Sequence, residues 1–402
     1  MAFQDVADQL SSLNLSTDEY LLYNPSGGKS SFLKKLDNIP RYLFRVFTPK
    51  SAATTDESWA RSWNARHEIP ASKLDIFANT NDKAVADMVH RHLMWLKGED
   101  NFVSWTSSLL FTLVYIFHLH ANRNDASKFD EINLCIIDTT RFPRAVFIRD
   151  LDLIDAYRAF DDKLAQTQLL RRRTWGGRLY FGEYLSQGEL KIKGKCAIIS
   201  AAAMIQRGLY YLHPSFREFA QWPKEYRPPW VLPVLDLREN IDRNTTDICT
   251  PVLLRGFTAI IQLLEAPWRL PTAIHLIASL SHSTEDVSIL GFFKGDSFTD
   301  TARIACSPFT TKTIPRDFMP EIQQAQQLTE NIFREFCLLQ MTACVEKAGM
   351  ELRSCRRWRL EMSSEANMAL HRTLGPSWDA FSGRLNTVKY LSEGIASLDT
   401  DG

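Results

Sequence analysis

The pattern of apolar and polar positions changes along the chain, and it predicts an α+β fold. Strand-forming residues fill 42–47, and a short apolar run at 134–138 has the length of a buried strand. Apolar residues recur at helical spacing over 82–97, where Gly98 ends the pattern, and they fill 108–120 almost completely. The N-terminal part is therefore predicted to mix strands with helices.

Past the middle of the chain the pattern becomes more helical. We expect a helix over 151–171 and two strands, 179–185 and 189–199, joined by a turn at residues 186–188. Helical periodicity then dominates in four segments: 252–265, 270–280, 320–347 and 352–374. The C-terminal region is therefore predicted to be mainly α-helical.

Changes in composition indicate where the parts of the chain meet. Residues 1–38 are polar and rich in serine and glycine near their end. Prolines crowd the stretch 223–233, where each one removes a backbone donor and stiffens the chain. The sequence therefore predicts a polar N-terminal segment (1–38), an α+β domain (39–222) and a mainly helical domain (223–402).

Composition and charge narrow the classes of protein. The 402 residues are 45% hydrophobic and 23% charged, which is typical of a globular protein. Basic and acidic residues balance at 47 each, so nucleic-acid binding is not indicated. The N-terminus lacks the pattern of a signal peptide, and the longest apolar run, 109–119, is too short to span a bilayer. We therefore expect an intracellular protein, cytoplasmic or nuclear, that does not bind a membrane.

The spacing of cysteines and histidines does not indicate a metal site. The seven cysteines are scattered without a C-x-x-C pair, which is typical of reduced thiols in a protein core. His90 and His92 are two residues apart on a predicted helix, as are His118 and His120, so the members of each pair should point to different faces. No metal cofactor is expected.

Three N-terminal segments carry candidate chemistry. Arg45 lies in the middle of the predicted strand Leu43-Phe44-Arg45-Val46. Ser104 and Thr106 belong to a Ser/Thr-rich segment that either begins a strand or caps the following helix. Glu183 and Glu189 are the acidic residues of the third segment, 181–190. In this order the segments resemble the arginine–serine–glutamate pattern of ADP-ribosyltransferase-like domains, and the chain looks like a family of fungal proteins that carry a domain of unknown function.

This resemblance covers the chain from Pro40 to about Gly208, and it implies a mixed, split β core that holds NAD, as the substrate, in a cleft. Arg45 would bind a phosphate or the nicotinamide ribose, because a guanidinium matches phosphate oxygens. Ser104, with Thr106, would brace the glutamate or the ribose through its hydroxyl. Glu183 would accept a hydrogen bond from the ribose and stabilise the positive charge that develops as nicotinamide leaves. Water as acceptor would make the enzyme an NAD glycohydrolase, and a protein or small-molecule acceptor would make it an ADP-ribosyltransferase.

Two questions stay open at the level of the sequence. Either glutamate is a candidate: Phe181 stands two residues before Glu183, where the family has Gln or Glu, whereas Glu189 has Gln187 at that spacing but follows Gly188. The alternative to an enzyme of this class is a catalytically inactive scaffold whose helical part binds a partner. Its cleft would be filled by its own side chains, such as Trp105 or Phe181. An enzyme of another class, with its site between the two halves, is a further alternative.

Overall fold

An antiparallel sheet forms the centre of the N-terminal part. The computed structural model describes residues 20–96, 99–172, 180–242, 250–295, 298, 319–361 and 372. Within these ranges the strands are β1 (Tyr20–Leu21), β2 (Tyr42–Phe47), β3 (Thr54–Thr55), β4 (Trp59–Arg61), β5 (Phe102–Thr106), β6 (Asn133–Asp138), β7 (Ile148–Arg149), β8 (Glu183–Lys191) and β9 (Cys196–Ser200). They lie in the order β3-β4-β8-β5-β2-β6-β9, and β1 and β7 also pair with β8.

The expected mixed sheet is wrong, because every ladder between the described strands is antiparallel. The strands β5 and β6 do run in the same direction, but β2 lies between them and pairs with both in the opposite direction. Neighbours in the sheet are therefore antiparallel even where the order of elements along the chain suggests a parallel crossover.

The sheet curls open between β2 and β5. Along β2, the register with β6 runs from Tyr42 to Phe47. With β5, the register comprises one pair, Phe44 opposite Thr106. The two strands diverge beyond this pair, and the space between them becomes the mouth of a cavity.

Helices cover the sheet and make up the later part of the chain. They are α1 (Trp63–Arg66), α2 (Asp82–Leu93), α3 (Leu109–Ala121), α4 (Asp150–Tyr157), α5 (Asp162–Arg172), α6 (Ala201–Gln206), α7 (Leu209–Leu212), α8 (Pro214–Phe219), α9 (Val231–Asp242), α10 (Pro251–Ile261), α11 (Ala266–Ala278), α12 (Val287–Phe293) and α13 (Pro320–Glu361). Short 3₁₀ helices occur at Gly27–Asp37, Pro70–Lys73, Ile76–Ala78, Thr139–Arg141 and Arg158–Phe160. The α+β class and the helical C-terminal region are thus confirmed.

The predicted turn at residues 186–188 is wrong. The strand β8 runs through these positions, and the chain reverses at 192–195, where the Lys195 N–H donates to the Ile192 carbonyl over 2.9 Å. Gly188 has a φ of +62°, and a Cβ there would lie 2.6 Å from the Ser72 carbonyl oxygen. Its glycine therefore reflects a bulge in the strand beside a close backbone approach rather than a turn.

The helix predicted over 151–171 is interrupted. Asp161 separates α5 from the preceding 3₁₀ turn, and its carboxylate accepts a hydrogen bond from the Leu164 N–H over 2.8 Å. A capping aspartate satisfies a free N–H at a helix start, and its side chain favours a new start over a continuous helix. The predicted helix at 352–374 is described as far as residue 361 and at residue 372, and the rest lies outside the described residues.

Two apolar clusters pack against the sheet. One contains Trp105 and Tyr184, and the other contains Phe102 and Leu185 together with residues of α2 and α4. Because successive side chains of a strand point to opposite faces, Ser104 and Thr106 project from the face opposite Trp105.

By contacts the chain divides into two units, residues 1–331 and 332–402. All residues of the site described below belong to the first unit. The predicted domain boundary near residue 222 stays a prediction. Within the described ranges, no helix has the length and apolarity needed to cross a bilayer.

Candidate active site

A cavity of about 740 Å³ lies where β2 and β5 diverge. Cavities of this size are typical of sites for small molecules and cofactors. Four of the five predicted site residues line it: Arg45, Ser104, Thr106 and Glu183. The structure thus brings together residues as far apart in the chain as Arg45 and Glu183, which are 138 positions apart.

Arg45 is held in place by three neutral groups. Its Nε donates to Thr55 Oγ1 over 3.0 Å, and its two terminal nitrogens donate to the carbonyls of Ser104 and Ala53, each over 2.9 Å. The bond to Ser104 crosses the gap between β2 and β5. Among the described residues, no carboxylate lies within ion-pair distance of this guanidinium.

Arg45 is nevertheless charged. Burial leaves the residue 9% exposed and lowers its pKa to about 10, so it carries a positive charge at neutral pH. Buried charges are normally paired, because removal from water is costly. A cation without a bonded anion at the wall of a cavity is the arrangement expected of an anion-binding site.

Glu183 is positioned by a chain of side-chain contacts. Ser104 Oγ donates to Glu183 Oε1 over 2.8 Å, and His92 Nε2 lies 2.7 Å from the same Ser104 oxygen. Asp100 Oδ1 in turn lies 3.1 Å from His92 Nδ1. The path Asp100–His92–Ser104–Glu183 therefore leads from the loop before β5 to the first residue of β8, and all four residues line the cavity.

His92 and Asp100 were not identified from the sequence. His92 was considered there as half of a metal pair with His90, and the two rings do have different partners, since His90 Nδ1 lies 3.2 Å from Thr167 Oγ1. Among the described residues, no cluster of side chains has the composition of a metal site. The packing of α2 against β5 places His92 beside Ser104, and no short sequence motif signals that contact.

Thr106 supports the backbone before Glu183 rather than the carboxylate. Its hydroxyl donates to the Phe181 carbonyl over 2.5 Å and accepts from the Ser108 N–H over 3.0 Å. The Ser107 N–H donates to the Gly182 carbonyl over 2.9 Å. The helix cap is Ser108, whose Oγ accepts from the Phe111 N–H over 3.1 Å, which leaves Ser104 and Thr106 to the strand.

Glu189 does not reach the cavity. It lies toward the other end of β8, its side chain is 49% exposed, and it pairs with Arg61 Nε over 3.2 Å. A bulge at Gly188 separates the two candidate glutamates along the strand. The cavity therefore contains one of the two, Glu183.

Five aromatic rings form one wall of the cavity. Phe111 stacks on Phe181 with ring centroids 5.1 Å apart, and Phe181 meets Trp230 edge-on at 5.1 Å. Trp95 lies 4.9 Å from Trp230, and Tyr115 lies 5.5 Å from Phe111. Such a wall offers flat apolar surface to a planar ring.

Trp105 and Phe181, the side chains that could fill the cleft of an inactive scaffold, do not fill the cavity. Trp105 lines part of the cavity but is itself buried, and its indole N–H donates to Ser186 Oγ over 3.0 Å. Phe181 lies in the aromatic wall, beside a cavity that remains about 740 Å³ in volume.

Electrostatic effects within the site favour a charged histidine. Burial, the largest single effect, lowers the pKa of His92, but the charge and hydrogen bond of Asp100, together with the charge of Glu183, outweigh it and raise the pKa above 6.5. Burial also raises the pKa of Tyr115 to about 12, so its hydroxyl stays protonated at neutral pH.

One family model matches part of the chain. Residues 38–221 match the family model of a domain of unknown function (DUF7587). This range includes Arg45 and the four residues of the path, Asp100, His92, Ser104 and Glu183. No curated protein and no solved structure matches the chain. The resemblance to ADP-ribosyltransferase-like domains and the fungal origin stay predictions.

Proposed function

We propose that this protein consumes NAD by cleaving the bond between nicotinamide and ribose, with Arg45, Ser104 and Glu183 as the residues that bind and act on it. The observation that carries the proposal is the shared cavity. Arg45, a buried cation that bonds to no carboxylate of the described residues, and Glu183, a carboxylate oriented by a hydroxyl, line the same space, which has the volume of a cofactor site.

The cation accounts for the anionic part of the substrate. A phosphate oxygen at Arg45 would supply the negative charge that the described partners of the guanidinium do not, and charge-assisted bonds of this kind are stronger than neutral ones. The pyrophosphate of a dinucleotide meets this requirement. The aromatic wall in turn provides stacking surface for a planar ring at the same cavity.

The carboxylate accounts for the chemistry. When the C1′–N bond breaks, its electron pair passes to the pyridinium ring, which leaves as neutral nicotinamide, and positive charge develops on the ribose. Glu183 would stabilise that charge and accept a hydrogen bond from a ribose hydroxyl, and Ser104 holds its Oε1 in place. Water or an acceptor hydroxyl or amine then adds to C1′ and loses a proton.

The test is nicotinamide release from NAD by the purified chain, measured for the wild type, Glu183→Gln and Glu189→Gln. We expect Glu183→Gln to lower kcat by on the order of 100-fold or more. The matched control, Glu189→Gln, alters a carboxylate on the same strand that pairs with Arg61 outside the cavity, and it should keep the wild-type rate. Arg45→Lys retains the charge but loses the planar fork, and it should raise KM for NAD.

Absence of nicotinamide release from the wild type, or full activity in Glu183→Gln, would refute this function. Binding of ADP-ribose without release would instead support the catalytically inactive scaffold. Addition of a candidate acceptor distinguishes transfer from hydrolysis, because transfer consumes the acceptor in step with nicotinamide release.

A second candidate function rests on one observation. Ser104, His92 and Asp100 have the separations of a nucleophile, a base and an orienting acid, 2.7 and 3.1 Å. The arrangement favours it less, because the hydrogen of the Ser104 hydroxyl is already donated to Glu183. If a fluorophosphonate probe labels Ser104 and the protein releases no nicotinamide, the result would support acyl transfer instead of NAD cleavage as the function.

A further inference from the structure

The path from Asp100 to Glu183 constrains where its hydrogen atoms lie. Ser104 has a single hydroxyl hydrogen, and because the Glu183 carboxylate only accepts hydrogen bonds, the 2.8 Å contact assigns that hydrogen to the bond with Glu183 Oε1. The Ser104 oxygen must then accept from His92 Nε2, so this nitrogen carries a hydrogen. His92 Nδ1 faces the carboxylate of Asp100, which accepts hydrogen bonds, so Nδ1 carries a hydrogen too. Both ring nitrogens are protonated only in the imidazolium cation.

We propose that His92, clamped by Asp100, is a positioning residue that works as the imidazolium cation: it orients Ser104 and, through Ser104, fixes the carboxylate of Glu183 for the reaction. The kinetic part of this inference rests on the proposed NAD cleavage. The part that concerns the protons on His92 does not depend on it.

The surroundings of His92 support the charged form. The charged groups that face its ring are Asp100 from the loop before β5, Glu183 from β8 and Arg45 from β2. Burial, the largest effect, opposes the cation, as does Arg45, but the two carboxylates outweigh them, and the net effect is a rise in the pKa of His92. The Phe102 ring, whose centroid lies 5.3 Å from that of His92, adds no titrating group.

Loss of the proton on His92 Nε2 would reverse the direction of the hydrogen bond between His92 and Ser104. If Nδ1 keeps its hydrogen for Asp100, then Nε2 becomes an acceptor and takes the hydrogen of Ser104. The Ser104 oxygen would then face Glu183 Oε1 with lone pairs on both sides over 2.8 Å, a contact that repels. This contact would then no longer hold Glu183 Oε1 in place, so the proposed NAD cleavage should decline as the pH rises through the pKa of His92.

The kinetic experiment compares the pH dependence of kcat for nicotinamide release in four variants and the wild type. His92→Leu removes the donor and should lower kcat by up to about 100-fold, with a smaller change in KM, because a misplaced catalytic group costs about this much. His92→Gln restores a donor that does not titrate, so it should recover activity relative to His92→Leu and lose the alkaline decline. Asp100→Asn should shift the decline to lower pH.

The matched control is His90→Gln. This histidine lies on the same helix, and its ring contacts Thr167 rather than Ser104. Its rate and its pH profile should equal those of the wild type. If the wild type and His92→Gln share the same alkaline decline, or if His92→Leu keeps the full rate, the positioning role is refuted.

Nuclear magnetic resonance gives a readout that does not require activity. The chain has nine histidines, and comparison with His92→Gln assigns the ring nitrogens of His92. At pH 7 both nitrogens should show the chemical shifts of the protonated ring, and Asp100→Asn should lower the titration midpoint. A singly protonated ring at pH 7 would overturn the inference. If the wild type releases no nicotinamide, the proposed function fails, and this measurement still decides the protonation of His92.

Discussion

Replacing Glu321 by glutamine would show how strongly a buried ion pair holds the candidate active site together. Glu321 and Arg238 are 2% and 1% exposed, and the closest of their contacts is 2.6 Å. Arg238 also donates to the Tyr180 carbonyl over 2.8 Å, three residues before Glu183. Glu321 accepts from Ser108 Oγ, the cap of α3, over 2.6 Å. The pair therefore ties both segments that flank the site to the start of α13.

The expected cost follows from burial. Removing one partner of a buried pair leaves the other charge without compensation, which typically lowers the free energy of unfolding by about 3–5 kcal/mol. At about 2–3 °C per kcal/mol for a body of this size, Tm should fall by about 6–15 °C. The exposed pair of Arg144 and Asp37, with side chains 61% and 47% exposed, provides the control, and Asp37→Asn should cost less than about 1 kcal/mol.

Chemical denaturation of the two variants and the wild type measures these differences. A double variant, Arg238→Met with Glu321→Leu, removes both charges and should recover most of the stability, because an apolar pair of similar volume avoids the cost of desolvation. If Glu321→Gln is no more destabilising than Asp37→Asn, then the buried pair of Arg238 and Glu321 does not stabilise the fold as its burial indicates.

Two further predictions concern a glycine and a pair of histidines. Gly182→Ala should abolish the proposed NAD cleavage, because φ is +65° and the new Cβ would lie 2.1 Å from Ser107 Oγ. Gly194 has a φ of +73°, and no described atom would lie within 4 Å of a Cβ there, so Gly194→Ala should lower the free energy of unfolding by only about 1–2 kcal/mol and leave the rate of that cleavage unchanged. His118 and His275 should make the protein sensitive to acid, since burial lowers the pKa of each to about 4. The unfolded chain then binds more protons between pH 6.5 and 4, so stability is complete above pH 6.5 and falls by at most about 3 kcal/mol for each ring as the pH drops to 4. Denaturation at pH 7 and pH 4.5 measures the loss, which should be smaller in His275→Phe; equal losses in the variant and the wild type would contradict the assignment.

The apolar pattern of the sequence was sufficient to predict the elements that are buried on nearly every side. The strand at 42–47 and the helix at 108–120 correspond to β2 and α3 within a residue or two, because a buried strand and a buried helix each need an apolar run of characteristic length. The prediction of a turn at 186–188 failed because glycine is common both in turns and in strand bulges. Gly188 permits a left-handed bulge and the close approach of Ser72, and the local sequence does not distinguish this role from a reversal of the chain.

The candidate site, too, could be predicted from the sequence only in part. Arg45, Ser104 and Glu183 could be selected from the sequence because a resemblance orders them, and their side chains meet in one cavity. Glu183 and Glu189 could not be separated, since the pleat and a bulge decide which carboxylate faces the cavity. His92 and Asp100 could not be found at all.

By itself, the sequence determined an α+β body with a helical C-terminal region and the side chains available for chemistry, since these follow from apolar periodicity and residue type. The tertiary structure alone decided that β2 separates β5 from β6, that the sheet opens beside Arg45, and that α2 brings His92 against Ser104. Strand order, sheet curvature and helix docking depend on contacts between residues far apart in the chain. The periodicity of a short segment carries no information about its distant partners, so the geometry of the site is a property of the folded whole.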